Sequence, residues 1–301
     1  MPVRPLRRLE APTASFHARL SREALSYAWA PAEVDDLPSK HPELVIERDG
    51  NLLTAFAGAN QSCLAYSYGS DAEFVDLFPE MFEQLLPRIR KAHGSEMVRF
   101  RLSLGSSRTA VEPVLKKLSF KPQRPWLIFV LEKGRVVKTA TPKGIAFRAG
   151  GVADIDAIVR IDREGFPDTP MPEPAYRNHV ARGDELLLAT AGAEVVGFAL
   201  YSYNGADEGY LSSLAVADAY RGRGIGPALV ARVAKWAFAQ GADHLALRTE
   251  EDNGVAIKVY RTIGFKHAGS GNDYERATDP RVIAAMKKAG EGTLIRFGGW
   301  R

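Results

Sequence analysis

The chain repeats itself once, at a spacing of 145 residues, and that restricts it to folds that can be built twice in tandem. Phe100–Leu104 and Leu245–Thr249 are strand-like runs at this spacing. Each is followed by a helix pattern with a matching end, Leu118-Ser119-Phe120 in the first half and Ile263-Gly264-Phe265 in the second. Upstream, Glu43–Gly50 (ELVIERDG) leads into the apolar run Leu52–Ala57, as Glu185–Gly192 (ELLLATAG) leads into Val195–Tyr203. Both pairs read as a strand, a tight glycine-containing turn and a second strand. Identities between the halves are few, but the preserved order at a nearly constant offset favours duplication over chance. A length of 301 residues also suits two domains of about 150 each. Between the halves, Lys133–Lys143 carries Gly134, Pro142 and several lysines, the composition of a linker. These features predict one domain over 1–135, a second over 144–278, and a tail over 279–301. The tail has a helix pattern at Arg281–Ala289 and an apolar Thr293–Trp300. It is expected to dock on one of the domains.

Within the second half the patterns predict a strand near Ile145–Arg148 and a helix near Val152–Phe166. A second helical stretch follows Pro167–Pro174, then a hairpin from Glu185 to Tyr203 and a strand over Tyr210–Val216. A helix over Gly226–Gln240, a strand over His244–Thr249 and a helix over Asn253–Ile263 complete it. Helices and strands mix without strict βαβ alternation, which predicts an α/β fold whose sheet is partly antiparallel.

The most specific local feature lies in Tyr210–Val230. A strand-like segment ends near Val216, and Arg221-Gly222-Arg223-Gly224-Ile225-Gly226 then leads straight into a helix with Pro227 in its first turn. Three glycines without a Cβ let the main chain curl tightly and approach a ligand closely. Their N–H groups, the unpaired donors of the helix start and the helix dipole converge on one small volume, where a diphosphate fits. Arg221 and Arg223 could add charge-assisted bonds to phosphate oxygens. The alternatives are a solvated surface turn and a dinucleotide fingerprint. Against the latter, the spacing is G-x-G-x-G, and five residues separate it from Val216, too many for a tight strand-to-helix turn. A nucleoside-triphosphate loop lacks its G-K-[ST] ending.

Composition removes other classes. The net charge of +4 is small, and Lys and Arg are interspersed with Asp and Glu, so no nucleic-acid groove is indicated. No stretch approaches the roughly 18 apolar residues of a membrane span. Cys63 is the only cysteine, so no intrachain disulfide can form and a reducing, cytoplasmic setting is expected. The six histidines form no ligand pair at helical spacing, and no metal is expected. The arginine-rich start lacks the apolar core of a secretory signal.

Arg221–Gly226, preceded by Leu214-Ala215-Val216, resembles the R/Q-x-x-G-x-G/A motif of the GCN5-related N-acetyltransferases (GNATs), and the order of elements from about 145 to 275 is similar to that family throughout. The resemblance implies two GNAT-like domains, each a mixed, mostly antiparallel twisted sheet flanked by helices. It implies acetyl-CoA as acyl donor. The cofactor site would comprise Leu214, Ala215, Val216, Arg221, Gly222, Arg223, Gly224, Ile225, Gly226 and Asn253, with the Val216 N–H facing the thioester oxygen. Tyr260, otherwise an aromatic on the apolar stripe Ala256, Val259, Tyr260 and Ile263, would be the general acid beside the departing sulfur. No base declares itself among Asp207, Glu208, Glu250, Glu251 and Asp252.

The same offset carries Tyr260 to Leu115, Gly264 to Ser119, and the glycine loop to about Asp76–Met81, which has no glycine and two acidic residues. Such a segment cannot wrap a diphosphate, so the first half resembles a degenerate copy. The expected activity is direct acetyl transfer to the amine of a small molecule or peptide, and a homodimer is left open. A non-catalytic acyl-CoA sensor of the same fold is the first alternative and an NAD-dependent oxidoreductase the second.

Overall fold

In the computed structural model, which describes residues 41–57, 62–67, 70–94, 97–104, 108–135, 139–167, 170–181, 183–203, 207–279 and 281, the two halves pass through parallel series of elements. The first supplies β1 (Val45–Arg48), β2 (Asn51–Ala57), β3 (Ser62–Ser67), α1 (Asp71–His93), β4 (Met97–Leu104), α2 (Arg108–Lys117) and β5 (Lys121–Glu132). The second supplies β6 (Ala146–Ala149), α3 (Ile155–Gly165), α4 (Glu173–Ala181), β7 (Glu185–Ala191), β8 (Glu194–Tyr203) and β9 (Glu208–Val216). After these come α5 (Ile225–Gln240), β10 (His244–Glu250), α6 (Gly254–Ile263) and β11 (Lys266–Ala277). Apart from Arg281, the expected tail helix and strand, and the basic N-terminus, lie outside the described residues. Among those described, no helix is long and apolar enough to cross a membrane.

The described residues pack as two compact units that do not follow chain order. One takes the residues up to Trp126 together with those from Gly269 onward, and the other takes Leu127–Ala268. The chain thus changes unit inside β5 and again inside β11, whereas composition alone places the boundary in the linker after residue 135. Strand pairing gives the reason. β11 lies antiparallel along β4, from Ser270 opposite Leu104 to Ala277 opposite Met97. Buried side chains hold β11 in place: Arg99 Nε of β4 donates to Glu275 Oε1 (2.8 Å), and on the other side Trp126 Nε1 of β5 donates to Asp273 Oδ1 (3.0 Å). Between them Tyr274 turns into the core, and its hydroxyl donates to Glu112 (2.7 Å). A one-residue slip would exchange Tyr274 for a charge, so the register is strongly specified.

In the first unit β1, β2 and β3 pair antiparallel and β3 pairs parallel with β4. Helix α1 starts at Ser70, whose hydroxyl accepts from Glu73 N, and ends at Gly94. Its Phe74, Phe78 and Phe82 recur four residues apart and are fully buried with Tyr66 and Phe100. The Phe74 and Phe78 rings stack at 4.6 Å, and Phe100 lies 5.2 Å from Phe78. The offset predicts a loop here, but positions 76–81 are in mid-helix. By the same offset α5 begins at the equivalent of position 80, so α1 starts nine residues early and the turn before the helix is itself helical. An aromatic core repeating at helical spacing explains the difference.

The second unit has the strand order β5–β10–β9–β8–β7–β6, antiparallel from β6 to β9 and parallel between β9 and β10. Helix α5 covers one face through Leu229, Val230, Val233 and Ala237, where Phe129 and Leu131 of β5 are also buried. Helices α3 and α4 cover the other through Ile155, Ile158, Ile161 and Tyr176, packed on Phe198, Leu200 and Ala215. Both units are thus mixed, mostly antiparallel sheets flanked by helices.

Candidate active site

Strands β9 and β10 are paired only from Glu208 opposite His244 to Leu211 opposite Leu247. Both continue, β9 to Val216 and β10 to Glu250, without pairing to each other, so they part. A bulge marks the place: Leu200 of β8 faces Ser213 and Tyr201 faces Leu211, which leaves Ser212 unmatched. A bulge adds twist and re-aims the strand beyond it. Past it, Leu214 and Val216 pack toward α5 and Ala215 toward α3. Ala217 N donates to Val196 O of β8 (2.9 Å). Antiparallel alternation then turns the N–H and C=O of Val216 to the other edge, into the opening.

A 3-10 turn over Asp218–Tyr220 follows, then Arg221 in extended conformation. Gly222 (φ +73°) and Gly224 (φ +78°) are left-handed, a region that glycine enters without the steric cost of a Cβ. Gly224 is the N-cap of α5, and the first helical bond runs from Ala228 N to Gly224 O (3.1 Å). The amides of Gly222, Arg223, Gly224, Ile225 and Gly226 have no acceptor among the described residues. These donors, at the positive end of a 16-residue helix, form an anion cradle at the mouth of the opening.

The two arginines turn to the protein. Arg221 donates through Nε to Val216 O (3.1 Å) and through Nη2 to Glu164 O (3.2 Å), and pairs with Asp218 Oδ1 (2.6 Å). Arg223 donates to Ala219 O (2.8 Å) and lies over the Tyr220 ring at 4.9 Å. Glu164 and Asp218, partners of Arg221, carry no signal in the sequence that marks them.

Helix α6 starts at Asn253, whose Oδ1 accepts from Ala256 N (3.1 Å). It ends in a Schellman turn, with Phe265 N bonded to Tyr260 O and Gly264 N to Arg261 O. The half-buried Tyr260 ring packs between Phe265 (5.7 Å) and Phe129 (6.2 Å). Phe129 belongs to the last strand of the first half, so sequence order gives no hint of it. The first half repeats this turn, with Phe120 N bonded to Leu115 O and Ser119 N to Lys116 O. Leu115 and Tyr260 therefore occupy the same position of the same motif, and Leu115 is fully buried.

The acidic candidates separate. Asp207 and Glu208 stand at the start of β9, away from the cradle, while Glu250, Glu251 and Asp252 stand where β10 ends, with the latter two exposed. Burial pushes the Glu208 carboxyl up, against the bond to His244, and that same bond raises the His244 imidazole. Among the described residues no group of three or more His, Cys, Asp or Glu side chains could hold a metal ion.

Residues 155–265 match the model of the acetyltransferase (GNAT) family. The chain is 27% identical over 158 residues to the N-alpha-acetyltransferase RimI of Mycobacterium tuberculosis, covering 51% of this chain and 98% of that one. It is 32% identical over 142 residues to an uncharacterized protein of Mycobacterium leprae, 46% of this chain but only 39% of that protein's length. A tandem GNAT protein from the clavulanic acid biosynthesis pathway shares the fold over 89% of this chain and 95% of its own, with a TM-score of 0.65 and 13% identity. Parted parallel strands and an amide cradle between strand and helix lie within the matched segment, and residues 155–265 of this chain carry a domain of the acetyltransferase (GNAT) family.

Proposed function

We propose that the second unit is an acetyl-CoA-dependent N-acetyltransferase that works by direct transfer. The observation that carries this is the opening between β9 and β10 with unbonded amides at its mouth. In this reading the amides of Gly222–Gly226 hold the diphosphate, with Arg221 and Arg223 beside them. The pantetheine arm adds to the free edge of β9 along Leu214, Ala215 and Val216, as a peptide strand would. Asn253 keeps its Oδ1 on the α6 amide and offers Nδ2 to the ligand. The Val216 N–H stands toward the thioester oxygen, where charge develops.

The neutral amine attacks the thioester carbonyl, a C–N bond forms, and the C–S bond breaks. The sulfur leaves with a proton while the attacking nitrogen sheds one, which returns through solvent to the donor, so amine and thioester give amide and free thiol. Tyr260 is the donor in this reading, since a free phenol near pKa 10 and a thiol near 8.5 make full transfer uphill by only roughly 2 kcal/mol. The acceptor is a primary amine, and the RimI relative makes an α-amino group the first class to try. Saturation with acetyl-CoA at about 100 times its Kd should stabilise the protein by about 2.7 kcal/mol, with NAD ineffective. Release of free thiol on adding a peptide or small amine would then separate an enzyme from a sensor. Stabilisation by NAD alone would overturn the proposal.

A further inference from the structure

Arg221 introduces the glycine turn, yet its guanidinium points back at the fold. It reaches the last residue of β9 through Val216 O, the last turn of α3 through Glu164 O, and the 3-10 turn through Asp218. Each anchor has a need. Val216 O faces the opening and has no strand partner there. Glu164 O lies in the last turn of α3, where helix carbonyls lack intrahelical donors. A second tie runs beside it, from Asp218 N to Glu164 Oε2 (3.1 Å). Gly165 permits the close approach, since a Cβ there would lie 3.1 Å from Ala215 Cβ.

We infer that Arg221 is a positioning residue, whose guanidinium braces the donor cradle between the end of β9 and the last turn of α3, and not a ligand of the phosphates. This rests on the reading of residues 214–226 as the donor site. A planar fork with several fixed donors can hold two carbonyls and a carboxylate together, which a lysine ammonium on a flexible stem cannot. Phosphate therefore meets amides already arranged before it arrives, and less ordering is lost on binding. The brace also ties the cradle to α3, the helix that packs on the opposite face of β9.

Charge and bracing predict opposite patterns. If Arg221 were a phosphate ligand, Arg221→Lys would keep most of the coenzyme A affinity. Removal of its competitor in Asp218→Ala would tighten binding. If it is a brace, Arg221→Lys should weaken coenzyme A binding about as much as Arg221→Ala, on the order of ten-fold, and Asp218→Ala should weaken it as well. In turnover, KM for acetyl-CoA should rise while kcat holds within about two-fold, the mark of an effect on binding alone. Retained affinity in Arg221→Lys, or tighter binding in Asp218→Ala, overturns the inference.

A ligand-free readout keeps the two ideas apart. Ala217 N is bonded to Val196 O and Phe166 N to Asp162 O, one on each side of the brace. In ligand-free Arg221→Lys both amides should exchange about ten-fold faster, and together. Unchanged protection of either removes the brace whatever the protein binds. Failure of the wild-type protein to bind coenzyme A would instead remove the donor-site reading and leave the exchange result to decide the brace.

Discussion

His244 and Glu208 face each other in the parallel register of β9 and β10, with the imidazole Nε2 2.9 Å from the carboxylate Oε2. Burial raises the Glu208 carboxyl from its ordinary 4.5, and the bond to Glu208 raises the His244 imidazole from 6.5. The folded chain thus holds both protons more tightly than the unfolded chain. The stability this confers is complete below the ordinary values and is lost as pH rises through the raised ones. Asp207 and Asp243 add to the His244 shift in the same direction.

His244→Gln should therefore cost most in mild acid. From about pH 6 to about pH 9, the urea-unfolding advantage of the wild-type protein over this variant should shrink by on the order of 1 kcal/mol, since the pair is partly exposed. A difference that stays constant with pH would mean that the pair does not titrate in this way.

Gly264 and Ser119 close the two copies of one Schellman turn under different strain. Gly264 has φ +112°, and a Cβ there would lie 2.9 Å from Arg135 O. Ser119 adopts φ +65° with a side chain. Gly264→Ala should destabilise by about 2 kcal/mol or more, from backbone strain plus the clash. Ser119→Gly should stabilise by about 0.5–1 kcal/mol, the left-handed penalty less the entropy that glycine loses. Denaturant midpoints of the two variants must move in opposite directions for the shared motif to have this meaning.

Local signals were legible where chemistry is local. Asn253 and Gly264 marked the two ends of α6, Pro227 and the glycines marked the start of α5, and the strand before them ended at Val216 as its pattern indicated. What periodicity could not reveal was long-range. The alternation of β5 and β11 is the same whichever sheet receives them, and the choice was made by Arg99, Glu275 and Asp273 on distant strands. For the same reason Phe129 came to lie against Tyr260 unannounced. In the first half the missing glycines told that a loop was lost. The spacing of Phe74, Phe78 and Phe82 carried the rest of the message, that a helix had replaced it.

Tyr260→Phe keeps the ring between Phe129 and Phe265 and removes only the hydroxyl. If that hydroxyl protonates the leaving thiolate, kcat should fall on the order of 100-fold, since positioned proton donors contribute about 10²–10⁴. The Kd for coenzyme A should stay within about two-fold, because packing is unchanged. Single-turnover kinetics beside calorimetric titration would read both. A fall in affinity that matches the fall in rate would recast Tyr260 as part of the binding wall.

Gly224 is where the cradle can be tested with least disturbance to the core. A Cβ at this position would meet only Pro142 Cγ, at 4.0 Å, so the space around it tolerates a side chain. Its φ of +78° does not: a left-handed L-residue costs about 1–2 kcal/mol, and a β-branched one more. Gly224→Val can relieve that strain only by rotating the peptide units on either side, which swings the Gly224 and Ile225 amides away from their common focus. The helix behind is held by Leu229, Val230 and Val233, all fully buried, and should persist. The melting temperature should therefore fall by only a few degrees. Coenzyme A affinity should fall at least ten-fold, because amides that diverge cannot share one diphosphate. Binding at wild-type strength in a folded Gly224→Val protein would mean that the phosphates are held elsewhere.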